Sequence, residues 1–208
     1  MVKANLKNHR AFLCAVLAVI AAATLRQLGF RAEPPFDWLC PFFRSVIYIM
    51  LFAAWGISVC RRIIQPQVRR YLTAISALMV FWVTARTIRY IIAEDPWVLR
   101  HLWYLYYLPM LFIPLLAVFV ALSLGKPENY RLPNWTKLIY IPTAVLLLLV
   151  LINALDQLAF VFPADWTVWA NVYAHSIVYC LAVGWILLCA LAALGAMQVK
   201  CHIPHSHK

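Results

Sequence analysis

The sequence predicts an all-α fold: a polytopic transmembrane helix bundle of about six spans, with both termini cytoplasmic. Three observations predict it. Of the 208 residues, 65% are hydrophobic and 12% charged, and the mean hydropathy is +0.82. A soluble domain carries about 25% charged residues, so this apolar surface exceeds what one core can hide. Apolar runs long enough to cross a bilayer, about 20 residues each, recur along the chain. The cations, finally, collect in alternate connecting segments.

The first span reads as 11–30. Lys3, Lys7 and Arg10 precede it, as in a signal peptide, but no small-x-small cleavage pattern comes before Arg26, and more spans follow. Residues 1–10 therefore read as a cytoplasmic N-terminus and 11–30 as a first helix or signal anchor. Further spans are expected near 38–60, 71–92, 102–124, 138–155 and 168–198, with 200–208 as a cytoplasmic tail. Pro34 with Pro35, Arg61 and Arg62 with Pro66, Asp95 with Pro96, Gly125 with Pro127, and Pro163 supply turn and stop signals between them. The alternating ten-residue strands of an outer-membrane barrel do not occur in the sequence.

Orientation follows from the cations. With a cytoplasmic N-terminus, the inner segments hold Lys3, Lys7, Arg10, Arg61, Arg62, Arg69, Arg70, Lys126, Arg131, Lys137, Lys200 and Lys208. The outer side holds Arg26, Arg31, Arg44, Arg86, Arg89 and Arg100. Glu128 is the inner acid; Glu33, Asp37, Glu94, Asp95, Asp156 and Asp165 fall outside. The entire formal charge of +11 thus lies on one face. That removes nucleic acid as the reason for a pI near 9.7 and points to anionic lipid, at about 1 kcal/mol per cation near the surface. The bilayer is the expected partner and the plasma membrane the expected location.

Ionisable groups at membrane depth are costly to keep and are functional candidates. Arg86 and Arg89, three residues apart, are expected to share a helix face with Tyr90 and Trp82, where they would bind an anion or carboxylate by bidentate hydrogen bonds. Snorkelling to headgroups or structural pairing with Glu94, Asp95 or Asp156 is the alternative, and the more ordinary explanation. Asn153, Asp156 and His175, with Asn171, are expected at the same level and complete a candidate ligand pocket of Arg86, Arg89, Tyr90, Asn153, Asp156 and His175. Helix capping and an interhelical histidine are the structural alternatives. Trp103, Tyr104, Tyr106 and Tyr107 read as an interfacial belt or a stacking wall, and Pro109 and Pro114 as kinks in the fourth span.

No catalytic constellation occurs: there is no GxSxG, HExxH, Walker loop or glutamate pair. The scattered cysteines, Cys14, Cys40, Cys60, Cys180, Cys189 and Cys201, lack CxxC spacing. The tail residues Cys201, His202, His205 and His207 read as a polar end rather than a metal site. No catalytic residue, metal or cofactor is expected.

Three stretches carry a resemblance. RRIIQPQVRRYLTAISALMVFWVTARTIRY runs from Arg61 to Tyr90, RHLWYLYYLPMLFIPLLAVFVALSLGKPENYRLP from Arg100 to Pro133, and NALDQLAFVFP from Asn153 to Pro163. Over roughly residues 45–204 the chain resembles the seven-transmembrane N-terminal region of sensor histidine kinases from Gram-positive anaerobes. The resemblance implies a bacterial two-component signal-transduction input region that detects an extracellular or intramembrane ligand and passes movement through its last helix to a cytoplasmic kinase, as a homodimer or through a partner kinase. Asp156 stands where the family pattern has a histidine, and Ala154 where it has an acid. Six spans read here against the family's seven. Kinase catalytic segments do not occur in these residues, so the chain by itself is expected not to be an enzyme. A small transporter or channel, and a non-functional remnant of a kinase gene, remain the alternative readings.

Overall fold

Inside a bilayer no water is available to the backbone, so each spanning segment must close its hydrogen bonds within itself as a helix. The computed structural model describes residues 2–29, 36–92, 95–128, 130–153, 157–162 and 173–202. Among these residues the helices are α1 (Val2–Gly29), α2 (Phe36–Arg62), α3 (Pro66–Thr87), α4 (Pro96–Tyr104), α5 (Tyr107–Ser123), α6 (Tyr140–Leu151) and α7 (Ile177–His202). A π-helical turn, Ile88–Ile92, extends α3, and a 3-10 turn, Asn134–Ile139, leads into α6. Six segments are long and apolar enough to cross a membrane: Phe12–Gly29, Phe36–Arg62, Pro66–Ile91, Pro96–Ser123, Asn134–Leu151 and Ile177–Lys200. The architecture is that of an all-α, multi-pass membrane protein.

Local chemistry sets the boundaries; it shifts the starts of the fourth and last spans and adds a break within the fourth. The fourth span opens at Pro96, not near 102. Asp95 is extended and its carboxylate accepts from the Trp97 amide at 2.7 Å, while Pro96 occupies the first helical position. This is an N-cap followed by a proline that has no amide to lose, so a pair that reads as a stop signal is in fact a start. The same span breaks at Leu105–Tyr106, between α4 and α5. Pro109 has no N–H to give the Leu105 carbonyl, which takes the Leu108 amide instead at 3.2 Å, in a tighter turn. The last span begins at Ile177 rather than near 168. Ala174–His175 is a short strand, β2, paired antiparallel with β1 (Phe160–Val161); residues 163–172 lie outside the described ones.

Helix α5 is the centre of the bundle. Leu111, Leu115, Phe119 and Ala121 are shielded almost completely. α3 covers one side with Tyr71, Ala74, Ile75 and Leu78 against Leu115, Leu116 and Phe119. α7 covers the other with Cys189 and Ala193 against Val118 and Ala121. α6 completes the group, and the Trp185 indole of α7 donates to Thr143 of α6 at 2.9 Å. α2 crosses α3 closely: the Ser76 hydroxyl donates to the Phe52 carbonyl at 2.7 Å, and a methyl group added at Gly56 would collide with that hydroxyl. α1 packs on α2. Elsewhere α1 and α7 present Phe12, Leu13, Leu17, Ile20, Leu187, Leu188, Leu191 and Leu194 to the surroundings. A soluble surface does not carry so large an apolar area; lipid accounts for it.

Side-chain bonds gather two connections and the end of α7 at one end. Gln65, in the turn before α3, donates to the Ser123 carbonyl at 3.3 Å, and Gln67 accepts from the Leu132 amide at 3.2 Å. From α7, the Lys200 ammonium donates to the carbonyls of Ala121 (2.7 Å), Leu122 (2.8 Å) and Leu124. It caps the C-terminus of α5, whose last carbonyls have no helical partner; Gly125, at φ 74°, then turns the chain away. Arg61, Arg62, Arg69, Arg70, Lys126, Arg131 and Lys137 belong to these same connections. The cations that alternate in sequence therefore share one end of the bundle.

Candidate functional site

At the opposite end, the first turns of α2 and the last turns of α3 part to form a cleft of about 370 Å³. α2 contributes Asp37, Trp38, Pro41, Arg44 and Ser45; α3 and its π turn contribute Arg86, Thr87, Tyr90 and Ile91. Among the described residues, two guanidinium groups thus line the cleft with one carboxylate. The Asp37 carboxylate already accepts from the Trp38 amide at 2.8 Å, and Ser45 donates to the Pro41 carbonyl at 2.9 Å. An anion small enough for the cleft would meet two planar donor forks, with Trp38 and Tyr90 as walls.

The π turn directs Arg86 and Arg89 differently. In a regular α-helix, residues three apart share a face. In a wider π turn that registration is lost. Arg86 is exposed, lines the cleft and lies 5.8 Å from the centre of the Tyr90 ring. Arg89 is 6% exposed; its guanidinium lies 5.0 Å from the Tyr90 ring and 5.7 Å from the Tyr106 ring, at the α4–α5 break. The expected common face is thus divided, with Tyr90 between two cations facing different helices. Just before the turn, the Thr84 and Thr87 hydroxyls bond back to the Val80 and Val83 carbonyls at 2.9 and 2.8 Å. Such back-bonding loosens and bends a helix, and it is the signal in the sequence that could have disclosed the irregularity.

Asn153 stands elsewhere, outside the α2–α3 cleft. It is fully buried, and its amide makes four hydrogen bonds. Nδ2 donates to the Tyr104 hydroxyl and to the Phe160 carbonyl, both at 3.0 Å. Oδ1 accepts from the Ala159 amide at 2.6 Å and the Phe160 amide at 2.9 Å. Two donors and two lone pairs are the whole capacity of the group, so Asn153 clamps the segment that follows α6. Gln157, in the left-handed region at φ 49°, helps to turn the chain back.

His175 belongs to an aromatic cap over the same segment. Its ring lies 4.0 Å from Tyr179, 5.3 Å from Tyr173 and 6.3 Å from Phe160, centre to centre, and its strand pairs it with Phe160. Trp103 packs 4.4 Å from Phe160 and 4.8 Å from Tyr173, and Arg100 lies over Phe162 at 4.1 Å. Tyr104 and Tyr107, 1% and 4% exposed, turn inward onto Phe160 rather than outward as a headgroup belt.

The six residues expected to form one pocket are therefore distributed. Arg86 and Tyr90 line the α2–α3 cleft, Arg89 turns to the α4–α5 break, and Asn153 and His175 lie in the cap; Asp156 is outside the described residues, as are Asn171 and the tail from 203. The cleft residues not foreseen are Asp37, Trp38, Arg44, Ser45 and Thr87. Among the described residues, no group of three His, Cys, Asp or Glu side chains is placed to hold a metal ion.

No protein-family model matches the chain, and no curated protein or solved structure shows significant similarity to it.

Proposed function

We propose that this chain is a membrane-embedded receptor region whose α2–α3 cleft takes up a small anion, in a signalling protein of the plasma membrane. The observation that carries the reading is the cleft itself: Arg44 and Arg86 line it from two helices, with Trp38 and Tyr90 beside them and, among the described residues, a single carboxylate, Asp37. The charge count assigns this end to the outside. Tyr90 connects the cleft to Arg89, and Arg89 to Tyr106 at the break that begins α5. α5 in turn packs along α7. An anion drawing Arg86 toward Arg44 thus acts on the helix that packs against the last span. The likeness of Arg61–Tyr90 and Arg100–Pro133 to sensor histidine kinase input regions supports the same role, with a kinase as the recipient of the movement.

The test uses the full chain in neutral detergent and three probe anions: succinate, citrate and inorganic phosphate. Saturable binding of at least one probe is expected. It should weaken by tenfold or more in R44Q/R86Q, and the accompanying change in tryptophan fluorescence should disappear in Trp38→Phe. The absence of saturable binding by all three, or equal affinity in R44Q/R86Q, refutes the reading. Flux of a bound probe across proteoliposomes would replace the receptor with a transporter.

A further inference from the structure

A second cavity, of about 450 Å³, lies between the same two helices at the basic end, lined by Cys60, Arg69, Arg70, Thr73, Ala74 and Ala77. We infer that it is a binding groove for one anionic glycerophospholipid, with the phosphate at Arg69 and Arg70 and an acyl chain along Thr73, Ala74 and Ala77. This inference does not depend on the reading of the other cleft.

The groove is graded from charged to apolar along the helix. Positions 70, 73, 74 and 77 recur at helical spacing on one side of α3 and cover about 10 Å of its axis. Both arginines stand at the start of α3, where the connections meet, and both are exposed. The first turn of α3 contains no acid, and Glu128 is the acid that the charge count assigns to this end. Arg61 and Arg62, on the last turn of α2, add to the field. Further into the span the lining changes to small side chains. Ala74 and Ala77 leave a trough that a larger residue would fill, and the Cys60 thiol, 3.2 Å from the Thr73 hydroxyl, forms part of its wall. A soluble phosphate would use the arginines and leave the trough empty. A neutral lipid would use the trough and leave the arginines without an anion. An anionic phospholipid satisfies both, in the order in which headgroup and hydrocarbon occur in a bilayer.

The experiment is a native mass-spectrometry titration of the full chain in neutral detergent with phosphatidylglycerol and phosphatidylcholine. Preferential retention of one phosphatidylglycerol is expected. R69Q/R70Q should weaken it by about thirtyfold, from about a factor of five per cation. Ala77→Phe, at an exposed position, keeps both charges, fills the trough and should weaken it as well. Glycerol 3-phosphate, which has no acyl chain, should not compete. Equal retention of the two lipids, or unchanged retention in R69Q/R70Q, overturns the inference. Competition by glycerol 3-phosphate together with normal retention in Ala77→Phe overturns it in favour of a soluble phosphate.

Discussion

Replacing Asn153 by alanine should be the most damaging polar substitution in the bundle. The amide makes four hydrogen bonds, at 3.0, 3.0, 2.6 and 2.9 Å, from a fully buried position. Each contributes about 1 kcal/mol net, and leaving a buried partner unpaired costs about 1–3 kcal/mol. The Ala159 and Phe160 amides are themselves fully buried, so both lose their acceptor where water enters poorly. A loss of about 3–5 kcal/mol follows. At about 2–4 °C per kcal/mol for a chain of this size, the melting temperature falls by on the order of 10 °C. The assay can use the protein's own thiols: Cys40 and Cys189 are buried, whereas Cys14, Cys60 and Cys180 are exposed. After the exposed thiols are blocked, a thiol-reactive dye reports unfolding through the buried pair. Tyr104→Phe removes one of the four bonds and should cost about 1 kcal/mol. If Asn153→Ala melts no lower than Tyr104→Phe, the clamp does not hold the segment and the argument fails.

Two other substitutions probe the frame. Gly56→Ala should push α2 and α3 apart by displacing the Ser76 hydroxyl from the Phe52 carbonyl. A cost of about 1–3 kcal/mol is expected for the overpacking, partly relieved in G56A/S76A; equal stability of Gly56→Ala and wild type would show that the crossing is loose. Lys200→Met leaves the α5 carbonyls of Ala121, Leu122 and Leu124 without their ammonium. It should lower stability by about 1.5–3 kcal/mol, as for hydrogen bonds to a charged group, and raise the labelling rate of Cys189 on α7. Unchanged labelling would mean that the packing of α7 on α5 holds without the cap.

The helices were legible because hydropathy and length decide them almost alone: each run had to satisfy its backbone internally, and lipid imposes no further pattern. Features that depend on one amide or one hydroxyl were less so. Asp95 with Pro96 reads as a stop as readily as a start until the carboxylate is seen to accept from Trp97. The α4–α5 break follows from Pro109, yet it falls at Leu105–Tyr106, where the missing bond is, and not at the proline. The candidate site divided because its prediction assumed regular helical spacing from Arg86 to Arg89, which the π turn breaks. Counting residues gives depth and not direction, and Asn153 and His175 turn into the aromatic cap rather than toward Arg86. Arg44 and Trp38 were missed for a related reason. An arginine near the start of a span reads as snorkelling, and only the α2–α3 packing shows that it faces another arginine across a cleft.

The cap and the α2–α3 pair differ in how completely their polar groups are committed. In the cap, Asn153 has no hydrogen-bonding capacity left, and the rings of Trp103, Tyr107 and Tyr179 pack on Phe160; such an element is built to stay closed. The α2–α3 pair is built otherwise. It has a close approach at Gly56 against Ser76, with Arg44 and Arg86 to one side along the helices and Arg70 to the other. Two helices that touch closely at one crossing cannot change their angle at one cleft without changing it at the other. If the anion cleft and the lipid groove are both occupied as proposed, their occupancies are therefore linked, and linkage is reciprocal. Anionic lipid at Arg69 and Arg70 would shift the affinity for an anion at Arg44 and Arg86, and the anion would shift lipid retention by the same factor.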